Sequence, residues 1–255
     1  MKREISLADM HNIQLSMMKA IHQFCIEKNI RYSLGGGTLL GAVRHKGFIP
    51  WDDDVDIMMP RPDYERFLTL FEGTFTQFNI QHYKNDNNYY KPFAKVYDNR
   101  TLLIEAYCTT GVFIDVFPID GMPNEDVYIL MLRKLNKLAR RLRYTTNIIS
   151  GNFKFLKRLY GKLHSRDKAL YRYDKYITSY KFETSEYAGA ISGAYGVKEH
   201  MPVYVFDEYV ELKFEDTKFM AIKEYDLYLK KHYGDYMQLP PIENRISHEF
   251  KAYYL

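Results

Sequence analysis

Apolar residues recur at helical spacing from Met10 through Ile13, Met17 and Ile21 to Phe24, which predicts an amphipathic helix over residues 7–28. Ser6 is placed to cap it, with Asp9 three residues on as a capping-box-like partner. The pattern then shortens. Residues 31–35 (RYSLG) read as a short strand running into Gly35, Gly36 and Gly37, and Thr38 to His45 as a short helix opened by those glycines. Val55 to Met59 has strand character and stops at Pro60, while Pro62 suits the first turn of a helix reaching about Phe71. Strands are predicted over 78–83, 91–97 and 101–107, with polar turns at 84–88 and 98–100. The short apolar run VFIDVF at 112–117 is typical of a buried strand, and Pro118 and Gly121 are expected to end it.

The character changes beyond that point. Leu132, Leu135, Leu138, Ala139 and Leu142 make one face of a helix, and Arg133, Lys137, Arg140 and Arg141 make the other. Further helices are predicted over 153–163 and 166–182, strands over 203–206 and 210–214, a helix over about 217–231, and an irregular tail. Alternating strands and helices before residue 120 predict an α/β (α+β) core. The expected organisation is a catalytic core over 1–122, a basic helical insertion or lobe over 123–185, and a C-terminal part over 186–255 that packs back on the core.

Charge sharpens this division. The 255 residues carry 36 Lys and Arg against 32 Asp and Glu, too even a balance for a global argument toward nucleic acid. Residues 128–175 alone hold fourteen basic and two acidic residues, a net of +12, so the rest of the chain stands at 4 − 12 = −8. This stretch is a solvated helix face, a surface for an anionic or lipid-linked acceptor, or an amphipathic contact with an anionic membrane. Nucleic acid ranks last, because no groove-reading motif accompanies the charge. The start MKREISLADMHNI has no apolar core of a secretory signal, and no apolar stretch is long enough to cross a bilayer. Cys25 and Cys108 cannot build a disulfide framework or a four-thiolate zinc site, so a reduced, cytoplasmic protein is expected. Cys25 reads as core and Cys108 as inert.

The chemistry concentrates in Asp52, Asp53, Asp54 and Asp56. Four carboxylates within five residues resist joint ionisation unless a cation neutralises them. On a strand, Asp54 and Asp56 project to one face, with Asp52 beside them, while Val55, Ile57 and Met59 enter the core and Asp53 faces away as a structural residue. Such a platform suits Mg²⁺ or Mn²⁺, which prefer oxygen ligands and share them with substrate phosphates. Asp115 sits among apolar residues and needs a compensating charge, which a shared metal would supply. The competing reading is a solvated acidic loop. An EF-hand fits poorly, since Ile57 stands where glycine is needed. The glycine run adds close backbone approach and a helix N-terminus that attracts anions. Other candidates each have a plainer reading. Lys95 contacts a donor phosphate or is a sheet-edge charge. Arg44 and Lys46 bind phosphate or end a solvated helix. Trp51 stacks on a base, walls a quaternary ammonium, or packs in the core.

The segment GGGTLLGAVRHKGFIPWDDDVDI (35–57) resembles the signature of the LicD family, nucleotidyltransferase-fold proteins related to fukutin-related protein. KPFAKVYDNRT (91–101), GVFIDVFPIDG (111–121) and the tail YGDYMQLPP followed by His248 extend the resemblance, which does not cover 128–185. It implies a mixed-sheet core flanked by helices, and metal-dependent transfer of phosphocholine from CDP-choline to a sugar hydroxyl of a glycan or teichoic-acid precursor. Relatives use other CDP-activated donors, such as CDP-ribitol or CDP-glycerol. The same fold could also serve an NTP-using enzyme or a non-catalytic nucleotide- or glycan-binding protein. By position, the resemblance makes Asp54 and Asp56 paired metal ligands and puts Asp115 at the third-acid position. It lines the phosphate with Gly36, Gly37 and Thr38 and marks Arg245 and His248 as secondary candidates. Asp115 then holds a second ion or takes the acceptor's proton. Asp216, in FED, departs from the glycine of many relatives and puts the local turn in question.

Overall fold

The computed structural model describes residues 2–104, 109–146, 152–245, 247–248 and 250–255. Its first strands are β1 (Ser33–Leu34), β2 (Asp56–Pro60), β3 (Phe78–Gln81), β4 (Ala94–Asp98), β5 (Thr101–Ile104), β6 (Thr109–Thr110) and β7 (Phe113–Met122). They are followed by β8 (Tyr187–Gly189), β9 (Met201–Pro202), β10 (Tyr209–Phe214), β11 (Thr217–Ile222) and β12 (Lys251–Tyr254). The main sheet runs β1-β2-β7-β4-β3, with β8 added to β7 and β9 to β8. The β2–β7 pair is parallel and its neighbours are antiparallel, so the sheet is mixed and the fold is α+β.

Helices α1 (Leu7–Glu27), α2 (Gly36–Arg44) and α3 (Arg61–Phe71) pack with the sheet into one apolar core. The predicted cap of α1 is present: Ser6 Oγ accepts the Asp9 N–H at 3.1 Å. Met17, Ile21, Phe24 and Cys25 enter the core from α1, and Val55, Ile57 and Met59 enter it around β2. Cys108 falls outside the described residues. From the C-terminal part, Phe206, Phe214, Phe219 and Leu229 join the same core. A second cluster joins Met122 to Tyr128, Met131 and Leu135 of α4 (Glu125–Tyr144) and to Tyr173 and Ile177 of α6 (Arg166–Ile177). Between these two helices, α5 (Lys154–Leu163) buries no residue. The last helix is α7 (Tyr225–Tyr233). Among the described residues no helix is long and apolar enough to cross a membrane.

Four expectations are corrected. Strand β7 continues through Pro118 and Gly121 to Met122. The Asp115 N–H points to Val55 of the β2 side, so residues 116, 118 and 120 address the other flank. There β4 pairs only as far as Val116 and β8 begins at Asp120, so the missing N–H of Pro118 interrupts no ladder. Residues 203–206 form a 3₁₀ turn after Pro202, not a strand. Residues 217–222 are strand β11, hairpinned on β10, and helix starts only at Tyr225. Phe219 and Ala221 are buried on alternate positions, the period of a strand, and tertiary packing selects it. The tail also holds a strand, because β12 pairs with the exposed flank of β5. At the β10–β11 turn, Glu215 takes the positive φ of 52° and Asp216 pairs with Lys19 at 2.7 Å, so the hairpin closes without glycine.

Candidate active site

Asp56, Asp115 and Lys95 are successive register partners across β2, β7 and β4, so the sheet presents them in one row on one face. Lys95 lies on an interior strand, between β7 and β3, and is fully buried. It is therefore no sheet-edge charge. Its Nζ stands 2.9 Å from Asp115 Oδ1 and over the Phe113 ring. The charge that compensates Asp115 is thus supplied by the protein, a partner that the sequence pattern did not single out.

The glycine turn fits against this row. Gly35 caps α2, and its N–H donates to the Asp56 carbonyl at 2.9 Å. Gly36 has φ of +45°, and a Cβ there would stand 2.8 Å from Asp56 Oδ2. A Cβ on Gly37 would stand 2.8 Å from Asp52 Oδ2. Side chains at these positions would fill the space directly before the carboxylates. Thr38 Oγ1 accepts the Asp56 N–H at 2.9 Å, so this hydroxyl fixes the start of β2.

The acidic leader into β2 is held from two sides. From α1, His11 Nε2 meets the Asp52 carbonyl at 2.6 Å, and Gln14 donates to the Asp53 carbonyl at 3.0 Å. From the tail, Asp53 accepts the His248 ring N–H at 2.8 Å and the His248 and Phe250 backbone N–H groups. Asp53 is buried. The bond to Asp53 raises the His248 imidazole to about 9 against the cost of burial, with Asp54 adding to it. Burial opposes ionisation of Asp53, but the His248 contacts hold its carboxyl below the usual range.

The neighbouring acids move the other way. Burial, then Asp54, push Asp52 up to about 7. Burial, then Asp54 and Asp115, push Asp56 well above the usual carboxylate range. Asp54 is raised by burial and by Asp115 despite His248. Burial and mutual repulsion keep these carboxyls from ionising together, and oxygen donors of this kind suit a hard cation. Among the described residues, one trio brings ligand atoms within 4.8 Å of one another: Asp53, Asp54 and His248. Asp54, Asp56 and Asp115 do not converge that closely.

A cavity of about 320 Å³ opens here, within the range of small-molecule sites. Asp52, Asp54, Asp56, Gly36, Gly37 and His248 line it, and Asp115, Lys95 and Thr38 lie outside its lining. Arg44 and Trp51 line a neighbouring cavity, which shares Leu40, Ile49 and Tyr233 with the first. Arg44 donates to the Tyr236 carbonyl at 2.8 Å, and the Arg245 guanidinium lies over Trp51 at 4.9 Å. These three side chains tie the tail down beside the site. The first cavity also has a wall that sequence reasoning missed: Tyr195, Glu199, Tyr228 and Tyr233. With 24 tyrosines in the chain, none stood out by type, although Tyr233 opens the motif YGDYMQLPP.

A mixed sheet carrying strand-borne carboxylates before a glycine turn is the arrangement of a nucleotidyltransferase domain. The family model described as "LicD/FKTN/FKRP, nucleotidyltransferase domain" matches residues 29–143. The chain belongs to the LicD family and is a transferase of the LicD type. It is 33% identical, over 99% of both chains, to the protein of Haemophilus influenzae named lipopolysaccharide cholinephosphotransferase LicD. Shorter matches join it to uncharacterized proteins of Rickettsia prowazekii (51% identity, 22% of each chain) and Rickettsia typhi (46% identity, 21% of this chain and 18% of that one).

Proposed function

We propose that this enzyme transfers phosphocholine from CDP-choline to a sugar hydroxyl of a cell-surface glycan or its lipid-linked precursor, and that CMP leaves. The observation that carries this reading is one cavity lined jointly by the glycine turn and by Asp52, Asp54 and Asp56. Identity along the whole chain to a lipopolysaccharide cholinephosphotransferase supports the headgroup and the glycan acceptor.

Asp54 and Asp56 would hold Mg²⁺ or Mn²⁺, with Asp52 beside them. The ion would neutralise the diphosphate and the charge that builds on the departing CMP oxygen. The chain's own part is positional. Gly36 and Gly37 keep side chains out of the space before the carboxylates, so phosphate oxygens can approach the N-terminus of α2. The acceptor hydroxyl gives up its proton to solvent as its oxygen bonds to the phosphorus that bears choline, and the P–O bond to CMP breaks with its electron pair left on the CMP phosphate. Asp115, engaged by Lys95, suits the anchoring of the carboxylate row better than the capture of the acceptor's proton. Mass spectrometry of CMP release from CDP-choline, CDP-ethanolamine, CDP-ribitol, CDP-glycerol and NTPs, with and without glycan acceptors, tests the reading. Acceptor-dependent CMP release from CDP-choline is expected. Turnover of an NTP and of no CDP conjugate would overturn it.

The basic region is the proposed membrane contact. On α5, Phe155 and Leu163 are 75% and 74% exposed, and Leu156 and Leu159 also face solvent. Lys154, Lys157, Arg158 and Lys162 accompany them, with no acid in the helix. An exposed apolar stripe among basic residues suits shallow insertion into an anionic bilayer, at the inner face for a cytoplasmic enzyme. Co-sedimentation with anionic vesicles, weakening as salt rises, is the expected result. No binding at low ionic strength would remove the idea.

A further inference from the structure

We infer that Tyr195, Tyr233, Tyr228 and Glu199 form the subsite that selects a cationic, quaternary-ammonium headgroup on the donor. This inference rests on the reading of the enzyme as a CDP-choline-dependent transferase and locates its headgroup specificity. The rings of Tyr195 and Tyr233 meet at 79° with centroids 5.4 Å apart, so they form a corner. Their hydroxyls bond to each other, and the Tyr228 hydroxyl accepts the Gly36 N–H at 3.4 Å. The wall therefore offers a ligand aromatic rings together with hydroxyls. Two aromatic faces set near a right angle suit a methylated ammonium, which has no N–H to donate and binds through the ring quadrupole.

Glu199 adds a formal negative charge to the same wall. It is 2% exposed and lines the cavity, and its Oε2 has no hydrogen-bond partner among the described residues. The nearest cationic candidate is His232, whose Nε2 stands 3.4 Å from Oε2 without a hydrogen bond. His232 Nδ1 donates to the Tyr228 carbonyl at 2.9 Å. A cationic ligand complements the Glu199 side chain in this wall and a neutral polyol does not. The Tyr228–Gly36 bond ties the wall to the glycine turn, and both line the same cavity.

The test is calorimetric titration of the full chain, with Mg²⁺ present, against phosphocholine, phosphoethanolamine and glycerol 3-phosphate. CMP release from CDP-choline and CDP-glycerol is measured in parallel. The wild-type protein is expected to bind phosphocholine at least about tenfold more tightly than glycerol 3-phosphate. Glu199→Gln and Tyr233→Leu should each remove most of that preference, whereas Tyr233→Phe, which keeps the ring, should retain it. Circular dichroism and melting temperature separate this loss from unfolding. Wild-type discrimination in both Glu199→Gln and Tyr233→Leu would overturn the subsite while leaving the donor assignment standing. A wild-type protein that releases CMP from neither CDP conjugate and shows no preference for phosphocholine would overturn both.

Discussion

Replacing Lys95 by Met removes the ammonium that the core supplies to the carboxylate row. The Nζ of Lys95 and Oδ1 of Asp115 lie 2.9 Å apart, and the lysine is fully buried. At an effective dielectric of about 20, that separation gives a gross attraction of roughly 6 kcal/mol, set against the cost of taking both ions out of water. Deleting one partner leaves the other desolvated and uncompensated, so the loss is about 3–5 kcal/mol. For a chain of this size that corresponds to a fall of about 6–20 °C in melting temperature. Asp115→Leu in the same background takes away the stranded carboxylate and should recover most of the stability without recovering activity. Urea denaturation of the two single variants and the double variant closes the cycle. A Lys95→Met protein within about 1 kcal/mol of wild type would refute the reasoning, since the pair would then contribute no more than a surface contact.

Three further outcomes are expected. Gly36→Ala combines a positive φ with a Cβ 2.8 Å from Asp56 Oδ2, so it should cost about 1–2 kcal/mol of stability and most CMP release; wild-type melting and turnover would argue against a confined turn. Asp52, Asp54 and Asp56 have folded-state pKa values raised above the unfolded ones, so the cation-free folded state binds more protons and its stability falls as pH rises from about 4 through 7. Melting in chelator should therefore occur at lower temperature at pH 8 than at pH 6, with Mg²⁺ giving the larger rescue at pH 8, and an equal rescue at both would speak against it. The His248 ring, in the cation-free protein, should titrate by NMR near 9 and drop toward 6.5 in Asp53→Asn. Its raised pKa contributes stability below about 6.5 that is lost as pH rises through 9, and a midpoint unchanged by Asp53→Asn would discount the contact.

Much of the site was legible because its residues are close in sequence. GGGTLLG and DDDVD fix a turn, a helix and a strand within about twenty positions, and strand alternation alone separates Asp54 and Asp56 from the core-facing Val55 and Ile57. Lys95 could not be placed that way, because its meaning depends on β4 lying between β7 and β3. Glu199 and Tyr195 lie some 140 residues from the acids and reach the cavity only through the return of the chain along β8 and α7. Helical spacing misread residues 217–222 because the hairpin with β10 outweighs local pattern, and Pro118 misled because its missing N–H meets no neighbour. Arg44, Trp51 and Arg245 carried the right chemistry for a ligand, yet Arg44 and Arg245 reach carbonyls of the tail, and Trp51 and Arg245 stack on each other.

In the proposed reaction the carboxylates at the head of β2 act through a divalent cation on a diphosphate donor. Calorimetric titration of CDP-choline into wild-type protein and into Asp56→Asn, each with Mg²⁺ and with chelator, tests it most directly. Donor binding that requires Mg²⁺ in the wild type and disappears in Asp56→Asn, with the variant still folded, is the predicted result. Equal binding in all four conditions would contradict the account.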